Sequence, residues 1–276
     1  MKYNVSADDA ESNSRSVITW ALLSVNLIVW FGLEIVGSSH DPQILLGFGA
    51  MFAPYVAGGQ YWRLLTAIFL HVGFVHLAFN SIGLLVFGGV VERLYGRVRF
   101  FAIYILAGIA GSITSYVFNP ITVGAGASGA IFGVMGAFAA FFLASRHVLG
   151  ETARQTLSGI GILLAVNLFF GFATPEIDNW AHIGGLFSGF VIGLAFAPRY
   201  YFSSLGTSYN KAQNFVSFLL NVKRWILVLS VVALMVVGTI LGNVVLPDNS
   251  VSRLHRAETL INQDKCSEAA IELRSA

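Results

Sequence analysis

Charged side chains are scarce in this chain of 276 residues, where Asp, Glu, Lys and Arg together make up 11%. Soluble globular domains carry roughly 25% charged residues, because water must solvate their surface. Hydrophobic residues make up 56% of the chain, and its mean hydropathy is +0.73. They occur in runs of about 20, the length of a helix that crosses a ~30 Å hydrocarbon core. The composition excludes an ordinary soluble domain and intrinsic disorder, and it predicts an integral membrane protein that contacts lipid.

Cysteine and surplus positive charge are also lacking. Cys266 is the single cysteine, so neither an internal disulfide nor a thiolate metal site can be the framework of the fold. The net charge is +2, and the sequence has no basic stripe of the kind that binds nucleic acid. We therefore expect no nucleic-acid partner and no cofactor.

Seven apolar runs are predicted to cross the membrane as helices. Backbone amides in hydrocarbon must be satisfied within the segment, and the runs lack the alternation of barrel strands. The runs are 17–37, 68–91, 98–118, 129–145, 156–173, 180–197 and 225–246. The first run could be a signal peptide, but it has no obvious cleavage site, which favours an uncleaved anchor. The predicted fold is an all-α membrane protein, a polytopic helical bundle.

A polar linker separates the seventh run from the other six and gives the chain a 6+1 plan. The predicted parts are a cytoplasmic tail 1–16, a six-helix core 17–197, the linker 198–224, the seventh helix 225–246 and an outer tail 247–276. The outer tail has helical spacing that resembles the opening of a tetratricopeptide repeat, although a short amphipathic tail fits it too. In either form it could recruit a protein partner.

The distribution of Lys and Arg predicts the orientation. Most of these residues lie in the N-terminal tail and in the loops on that side, whereas the opposite connecting loops hold only Arg63. Basic loops stay in the cytoplasm, so the N-terminus is expected there, in the plasma or inner membrane of a cell. The outer loops are then 38–67, 119–128 and 174–179.

Carboxylates are missing from the interior of every predicted span, and this limits the chemistry. Glu34 and Glu92 lie only near span ends. An intramembrane aspartyl protease and a His-Glu-x-x-His zinc protease are therefore excluded, and a proton-coupled transporter is disfavoured. Three histidines, His71, His76 and His182, could bind zinc in principle, but no carboxylate is available to orient them. We expect no metal.

Ser128 opens the fourth predicted helix, in a segment rich in small residues that includes Gly126 and Gly129. Free N–H groups and the positive end of the helix dipole lie at such a position, and they stabilise an oxyanion. The same small residues could instead serve only close helix packing.

His182 lies at about the same depth in the sixth span. Gly185 and Gly189 follow it on one helical face and would let this helix approach a partner closely, so that Ser128 and His182 could touch. A neutral imidazole beside a hydroxyl can take its proton, which predicts a catalytic dyad. Phe132, one turn after Ser128, could pack on the imidazole or be an ordinary apolar residue.

His76 and Asn80 are four residues apart and share a helical face. Both can donate hydrogen bonds into one pocket, where they could complete an oxyanion hole.

Taken together, these residues resemble the rhomboid intramembrane serine proteases over about 50–200. The matching positions are Gly59 to Thr66 with Trp62 and Arg63, then His71, His76 and Asn80, Glu92 to Gly96, Gly126 to Gly129, and Ala181 and His182 with Gly185 and Gly189. Their order and spacing along the chain are those of the family, which also includes a 6+1 form.

The resemblance implies a role for each matched residue. Ser128 would be the nucleophile and His182 the general base, with His76, Asn80 and the Ser128 backbone N–H as the oxyanion hole. Phe132 would pack on the catalytic histidine. Trp62 and Arg63 would be structural residues of the first outer loop, and Glu92 with Arg93 would tie the inner end of the second helix.

The expected function is that of a serine endopeptidase that cleaves membrane-protein substrates in or near their transmembrane segments, with a site opening to the extracytoplasmic side. Two other classes stay open at this stage. One is a non-catalytic rhomboid-like adaptor that binds transmembrane helices, and the other is a small-solute transporter, although the chain shows no internal repeat.

Overall fold

A computed structural model describes residues 16–174, 177–198, 200–202, 209–211 and 222–245, and in the tail 253, 256–257, 259–261, 263 and 265–274. Residues 1–15 of the predicted N-terminal tail, most of the linker and part of the outer tail lie outside the described residues.

Apolar helices dominate the described part of the chain, which confirms the all-α prediction. They are α1 (Val17–Val36), α2 (Gly73–Tyr95), α3 (Arg97–Phe118), α4 (Ser128–Ala144), α5 (Arg146–Ala173), α6 (Asn179–Phe196) and α7 (Val222–Val245). Among the described residues, six of these helices are long and apolar enough to cross a membrane, and α4 is a shorter apolar helix of 17 residues.

Two short strands lie in the segment predicted as a plain linker. Strand β1 (Tyr200–Phe202) pairs antiparallel with β2 (Tyr209–Lys211). In the tail, α8 (Cys266–Arg274) is joined to the preceding helical residues by an ion pair. Arg256 donates two hydrogen bonds of 3.1 Å to Glu272 and so lowers the pKa of that carboxyl. Ala257 and Ala269 are buried, which gives the tail a helical pairing of its own.

Two helix starts differ from the predicted spans. The second helix begins at Gly73, which has a φ of +68°, rather than at residue 68. Before it come a 3-10 turn, Ala67–Phe69, and a buried irregular segment. The fifth helix begins at Arg146 rather than at residue 156 and is interrupted at Gly150, where φ is +50°. Its first turns are charged, so hydropathy did not detect them.

Helices α4 and α6 form the centre of the bundle and touch through their backbones. A Cβ atom at Gly185 would overlap the Gly129 carbonyl, and one at Gly189 would overlap the Gly133 carbonyl. At Gly193 it would lie 2.6 Å from the Cα of Ala137. Small residues allow such close approach, and we call this contact the glycine seam. It fixes the depth of α6 relative to α4.

Glu92 connects the end of α2 to the start of α1. Its carboxylate accepts hydrogen bonds from the backbone N–H groups of Ile18 (2.9 Å) and Thr19 (2.8 Å) and from the Thr19 hydroxyl (2.8 Å). The adjacent Arg93 donates to the Ser16 hydroxyl at 3.1 Å. A carboxylate at a helix N-terminus satisfies donors that have no partner within the helix.

The loop between α1 and α2, which we call the outer loop after its predicted side, contains three short helices, Pro42–Gly47, Ala53–Ala57 and Arg63–Thr66. Arg63 is buried and donates to the carbonyls of Leu46 (2.7 Å) and Ala50 (3.0 Å). Trp62, half exposed, has its ring centre 4.7 Å from the Arg63 guanidinium carbon. Arg63 thus joins distant parts of the loop.

Candidate active site

The segment that leads into Ser128 is held on the outer loop by backbone hydrogen bonds. Gly124 exchanges two of them with Met51, at 2.7 and 2.9 Å. Gly126 donates its N–H to the Ala67 carbonyl at 3.0 Å. Ser128 then begins α4, so its hydroxyl lies at the N-terminal end of that helix, beside the free N–H groups.

Gly126 brings His76 next to Ser128. Its φ is +148°, and a Cβ atom there would lie 2.7 Å from Cε1 of His76 and 3.8 Å from Oγ of Ser128. A larger residue would be strained and would push into the imidazole. Because Gly126 has no side chain, a space remains that both the Ser128 hydroxyl and the His76 ring line.

His182 lies one turn into α6, and the start of this helix is anchored. Asp178 caps it by accepting a hydrogen bond from the Ala181 N–H at 3.2 Å. The other carboxylate oxygen of Asp178 accepts from the hydroxyl of Ser115, a buried residue of α3. A capping Asp satisfies free donors of the first turn, and here it also fixes the helix that carries His182 against α3.

The ring of His182 stacks on Phe132. The two ring centres are 4.1 Å apart and the planes differ by 5°. His182 is 7% exposed, and among the described residues its Nδ1 atom has no hydrogen-bond partner. The ring is therefore oriented by an aromatic face instead of by a carboxylate.

Ser128 and His182 are the sequence neighbours of Gly129 and Ala181, two residues that touch at the end of the glycine seam. A Cβ atom at Gly129 would lie 3.1 Å from the Ala181 carbonyl oxygen, and Gly185 meets the Gly129 carbonyl. The seam thus places the first turn of α4 beside the first turn of α6. The structure brings Ser128, His182, Phe132 and His76 to one place.

The side-chain amide of Asn80, which is predicted to donate into the oxyanion hole, already donates one hydrogen bond within its own helix. It is 6% exposed, and its Nδ2 atom donates to the backbone carbonyl of His76 at 3.0 Å, one turn earlier in α2. An amide nitrogen carries two hydrogens, so one stays available for an oxyanion.

Two residues that hold the site together have no predicted role in it. His71 is fully buried, and its Nε2 accepts from the N–H of Ala127, the residue before Ser128, at 3.4 Å. Asp178 could have been recognised as a helix cap from its position just before the sixth apolar run. The partner of His71 could not, because the two segments are far apart in sequence.

The remaining motif residues lie away from this site. Trp62 and Arg63 organise the outer loop, and Glu92 and Arg93 lie where the end of α2 meets the start of α1. In the described part of the chain, no group of three His, Cys, Asp or Glu side chains is placed to hold a metal ion.

Comparison with known proteins identifies the family. The family model described as Rhomboid domain matches residues 58–199. The chain is 44% identical over 183 residues to "Rhomboid protease GluP" of Bacillus subtilis, covering 66% of this chain and 35% of that protein. It is 39% identical over 177 residues to "Putative rhomboid protease YdcA" of the same organism, covering 64% of this chain and 86% of the relative.

A third relative comes from a eukaryote. The chain is 32% identical over 185 residues to "Rhomboid-like protease 1" of Toxoplasma gondii, covering 66% of this chain and 61% of that protein. The matched region is thus less than two thirds of both GluP and the Toxoplasma protein. The family match includes the last part of the outer loop, the seam and both first turns of the site. We conclude that this chain belongs to the rhomboid family of multi-pass integral membrane proteins.

Proposed function

We propose that the protein is a serine endopeptidase that hydrolyses peptide bonds in or near transmembrane segments of other membrane proteins. The observation that carries this proposal is the stacked pair of Phe132 and His182, which lies beside Ser128 and His76 on two helices joined by the glycine seam. Three of the relatives carry the word protease in their names.

We assign each step of the proposed reaction to a residue of the candidate site. Oγ of Ser128 attacks the substrate carbonyl carbon while His182 takes the hydroxyl proton, and the carbonyl π electrons move to the oxygen. The N–H of Ser128, the His76 ring and the second Asn80 hydrogen stabilise the oxyanion. His182 returns the proton to the leaving amine as the C–N bond breaks. A water molecule, deprotonated by the same histidine, then hydrolyses the acyl-enzyme.

The stacking of the general base on Phe132 suits a dyad without a third member. In other serine hydrolases a carboxylate holds the histidine ring and stabilises its protonated form. Here the ring of Phe132 fixes the plane of the imidazole, and an aromatic face also attracts the positive charge that the ring carries during the reaction. Proton transfer therefore needs no carboxylate inside the membrane.

The orientation follows from charge and depth. With the N-terminus in the cytoplasm, the starts of α4 and α6 lie near the extracytoplasmic side of a plasma or inner membrane. Substrates would be cut near the outer ends of their transmembrane helices. Such a helix must unwind locally, because its peptide bonds are hydrogen-bonded and shielded, so small or helix-breaking residues should favour cleavage.

The test is cleavage of a reporter transmembrane protein by detergent-purified wild type, Ser128→Ala and His182→Ala, with the new terminus mapped by mass spectrometry. We expect each variant to lose activity by about 10³-fold or more. Two exposed residues of α5 provide matched controls, Ser158→Ala and His147→Ala, which should cut like the wild type.

Two results would contradict the proposal. Equal cutting by all five proteins would reveal a contaminating protease. A wild type that is folded but inert on several reporters, and that still captures transmembrane helices when Ser128 is replaced, would favour the adaptor function.

A further inference from the structure

Asn243, near the outer end of α7, joins three parts of the molecule. Its Oδ1 atom accepts a hydrogen bond from the hydroxyl of Tyr116 in α3 at 2.8 Å. Its Nδ2 atom donates to the hydroxyl of Tyr61 in the outer loop at 2.9 Å. Helix α7 lies beyond residues 58–199, the part of the chain that the family model matches. Polar groups in membrane helices are costly, so an amide with partners on two other segments has a specific role.

The packing of α7 on α3 determines where this amide lies. A Cβ atom at Gly242 would overlap the ring of Tyr116, and one at Gly238 would lie 2.9 Å from the Cγ2 atom of Ile113. At the other end of α7, Arg224 donates to the Ala197 carbonyl at 2.9 Å. Two glycines one turn apart thus let α7 approach α3 closely and present Asn243 to both tyrosines.

Tyr61 connects this contact to the candidate active site. Its backbone carbonyl accepts from the Leu64 N–H at 3.1 Å, so it belongs to the turn that opens the short helix Arg63–Thr66. The residue after that helix is Ala67, whose carbonyl accepts from the Gly126 N–H at 3.0 Å. Gly126 in turn touches His76 and lies two residues before Ser128. A continuous series of hydrogen bonds and one helical turn therefore leads from α7 to the serine.

We propose that Asn243 is a positioning residue for the proposed proteolytic reaction, on which this inference rests. Through Tyr61 the amide holds the outer loop, and the loop holds the backbone segment that carries Ser128 and its oxyanion-binding N–H. Helix α7 is thereby part of the support of the active site in addition to being a membrane anchor. Hydrogen bonds that chain through one amide polarise one another, which favours a single arrangement of the three side chains.

The effect should appear in kcat. Misalignment of the serine and its backbone N–H weakens contacts that are made only in the transition state, whereas substrate binding to the surrounding helices is unchanged. We expect Asn243→Leu to lower kcat about three- to tenfold with KM within about twofold of the wild type, the size that one or two interhelical hydrogen bonds allow. Tyr61→Phe should lower kcat to a similar degree, and it should add nothing in the Asn243→Leu background.

The matched control is Asn167→Leu. Asn167 is an exposed amide of α5 that donates only to the Leu163 carbonyl of its own helix, at 2.8 Å. Its replacement should leave kcat and KM unchanged. Asn243→Gln, which keeps both hydrogen-bonding groups, should recover part of the lost kcat.

Hydrogen exchange measured by mass spectrometry gives a readout that does not need activity. In Asn243→Leu, amide exchange should rise in segments 59–67 and 122–128, and in Asn167→Leu it should not. If the wild type were inert on all reporters, the proposed function would fail while the exchange data still decided whether α7 holds these segments.

Two outcomes would overturn the inference. One is a kcat of Asn243→Leu equal to that of the wild type, even if its unfolding midpoint falls. The other is faster exchange confined to α7 itself, which would mean that the amide only docks that helix.

Discussion

The two helices that follow α4 in the chain, α5 and α6, differ in how closely they pack against their neighbours. Along α6, Gly185, Gly189 and Gly193 meet the backbone of α4 directly. Along α5, Gly159 and Gly161 have no neighbouring atom within 4 Å where a Cβ would be placed. The proposed catalytic pair is carried by the first kind of contact, because chemistry needs reacting atoms held to within a fraction of an ångström. The other helix is left mainly to lipid.

The C-terminal part of helix α5 is nevertheless attached to the start of α6. The Nδ2 atom of Asn179 donates to the Leu168 carbonyl at 3.0 Å, and Gly171 packs against the same amide. Asn179 directly follows Asp178, the residue that caps α6. The loosely packed helix is therefore fastened next to the anchored start of the tightly packed one.

The largest expected loss of stability and activity comes from a substitution that breaks the glycine seam. Gly185→Ala forces a methyl group against the Gly129 carbonyl, which should cost about 3 kcal/mol of unfolding free energy and abolish proteolysis. Gly159→Ala, the matched change on α5, should keep activity and stabilise the helix by up to about 1 kcal/mol. Unfolding in mixed detergent micelles and reporter cleavage measure both. Equal losses in the two variants would mean that the seam is not special.

A smaller effect on activity is expected from a change at Phe132, which stacks on the proposed general base, His182. Phe132→Leu keeps most of the apolar volume but removes the flat face under His182, so kcat should fall about three- to tenfold, the value of one aromatic pair. Phe172 on α5 is 67% exposed, and Phe172→Leu should leave kcat unchanged. Steady-state kinetics on one reporter decide this. An unchanged kcat in Phe132→Leu would remove the stacking contact from the proposed mechanism.

The smallest effect concerns the attachment of α5. Asn179→Ala removes the hydrogen bond to the Leu168 carbonyl and should cost about 1 kcal/mol, with faster amide exchange in 160–173. The exchange of 128–144 should stay as in the wild type, because the seam is intact. If exchange rose equally in both helices, the contrast between a tightly and a loosely packed neighbour would be wrong.

Much of the fold could be predicted from the sequence because lipid imposes long apolar helices. Hydropathy detects the part of a chain that avoids water, however, and this differs from the part that is helical. The apolar segment before Gly73 was assigned to the second span, although Leu70 and His71 are buried in an irregular turn. The charged first turns of α5 were assigned to a loop, although they are helical and paired, as Glu151 and Arg154 are at 3.1 Å.

The composition of the candidate site was also largely predictable, since a serine at a helix start and a histidine followed by two glycines are local patterns. The supports of the site were not. The Asp178 and Ser115 pair and the contact of Asn243 with Tyr61 join segments whose mutual placement no local pattern encodes. A seventh apolar helix can dock on any face of a bundle, and only the three-dimensional arrangement shows which face it packs against.

The contact of Glu92 with the start of α1 has a consequence for biosynthesis. The donors of Ile18 and Thr19 leave the ribosome 74 and 73 residues before the carboxylate that satisfies them. Helix α1 must therefore enter the bilayer with its N-terminal end uncapped. It receives its cap only when the last turn of α2 has been synthesised and has returned to the same side of the membrane. A chain arrested before Glu92 would hold α1 in the membrane without fixing its rotation, so the first two helices become a unit at the moment this one residue arrives.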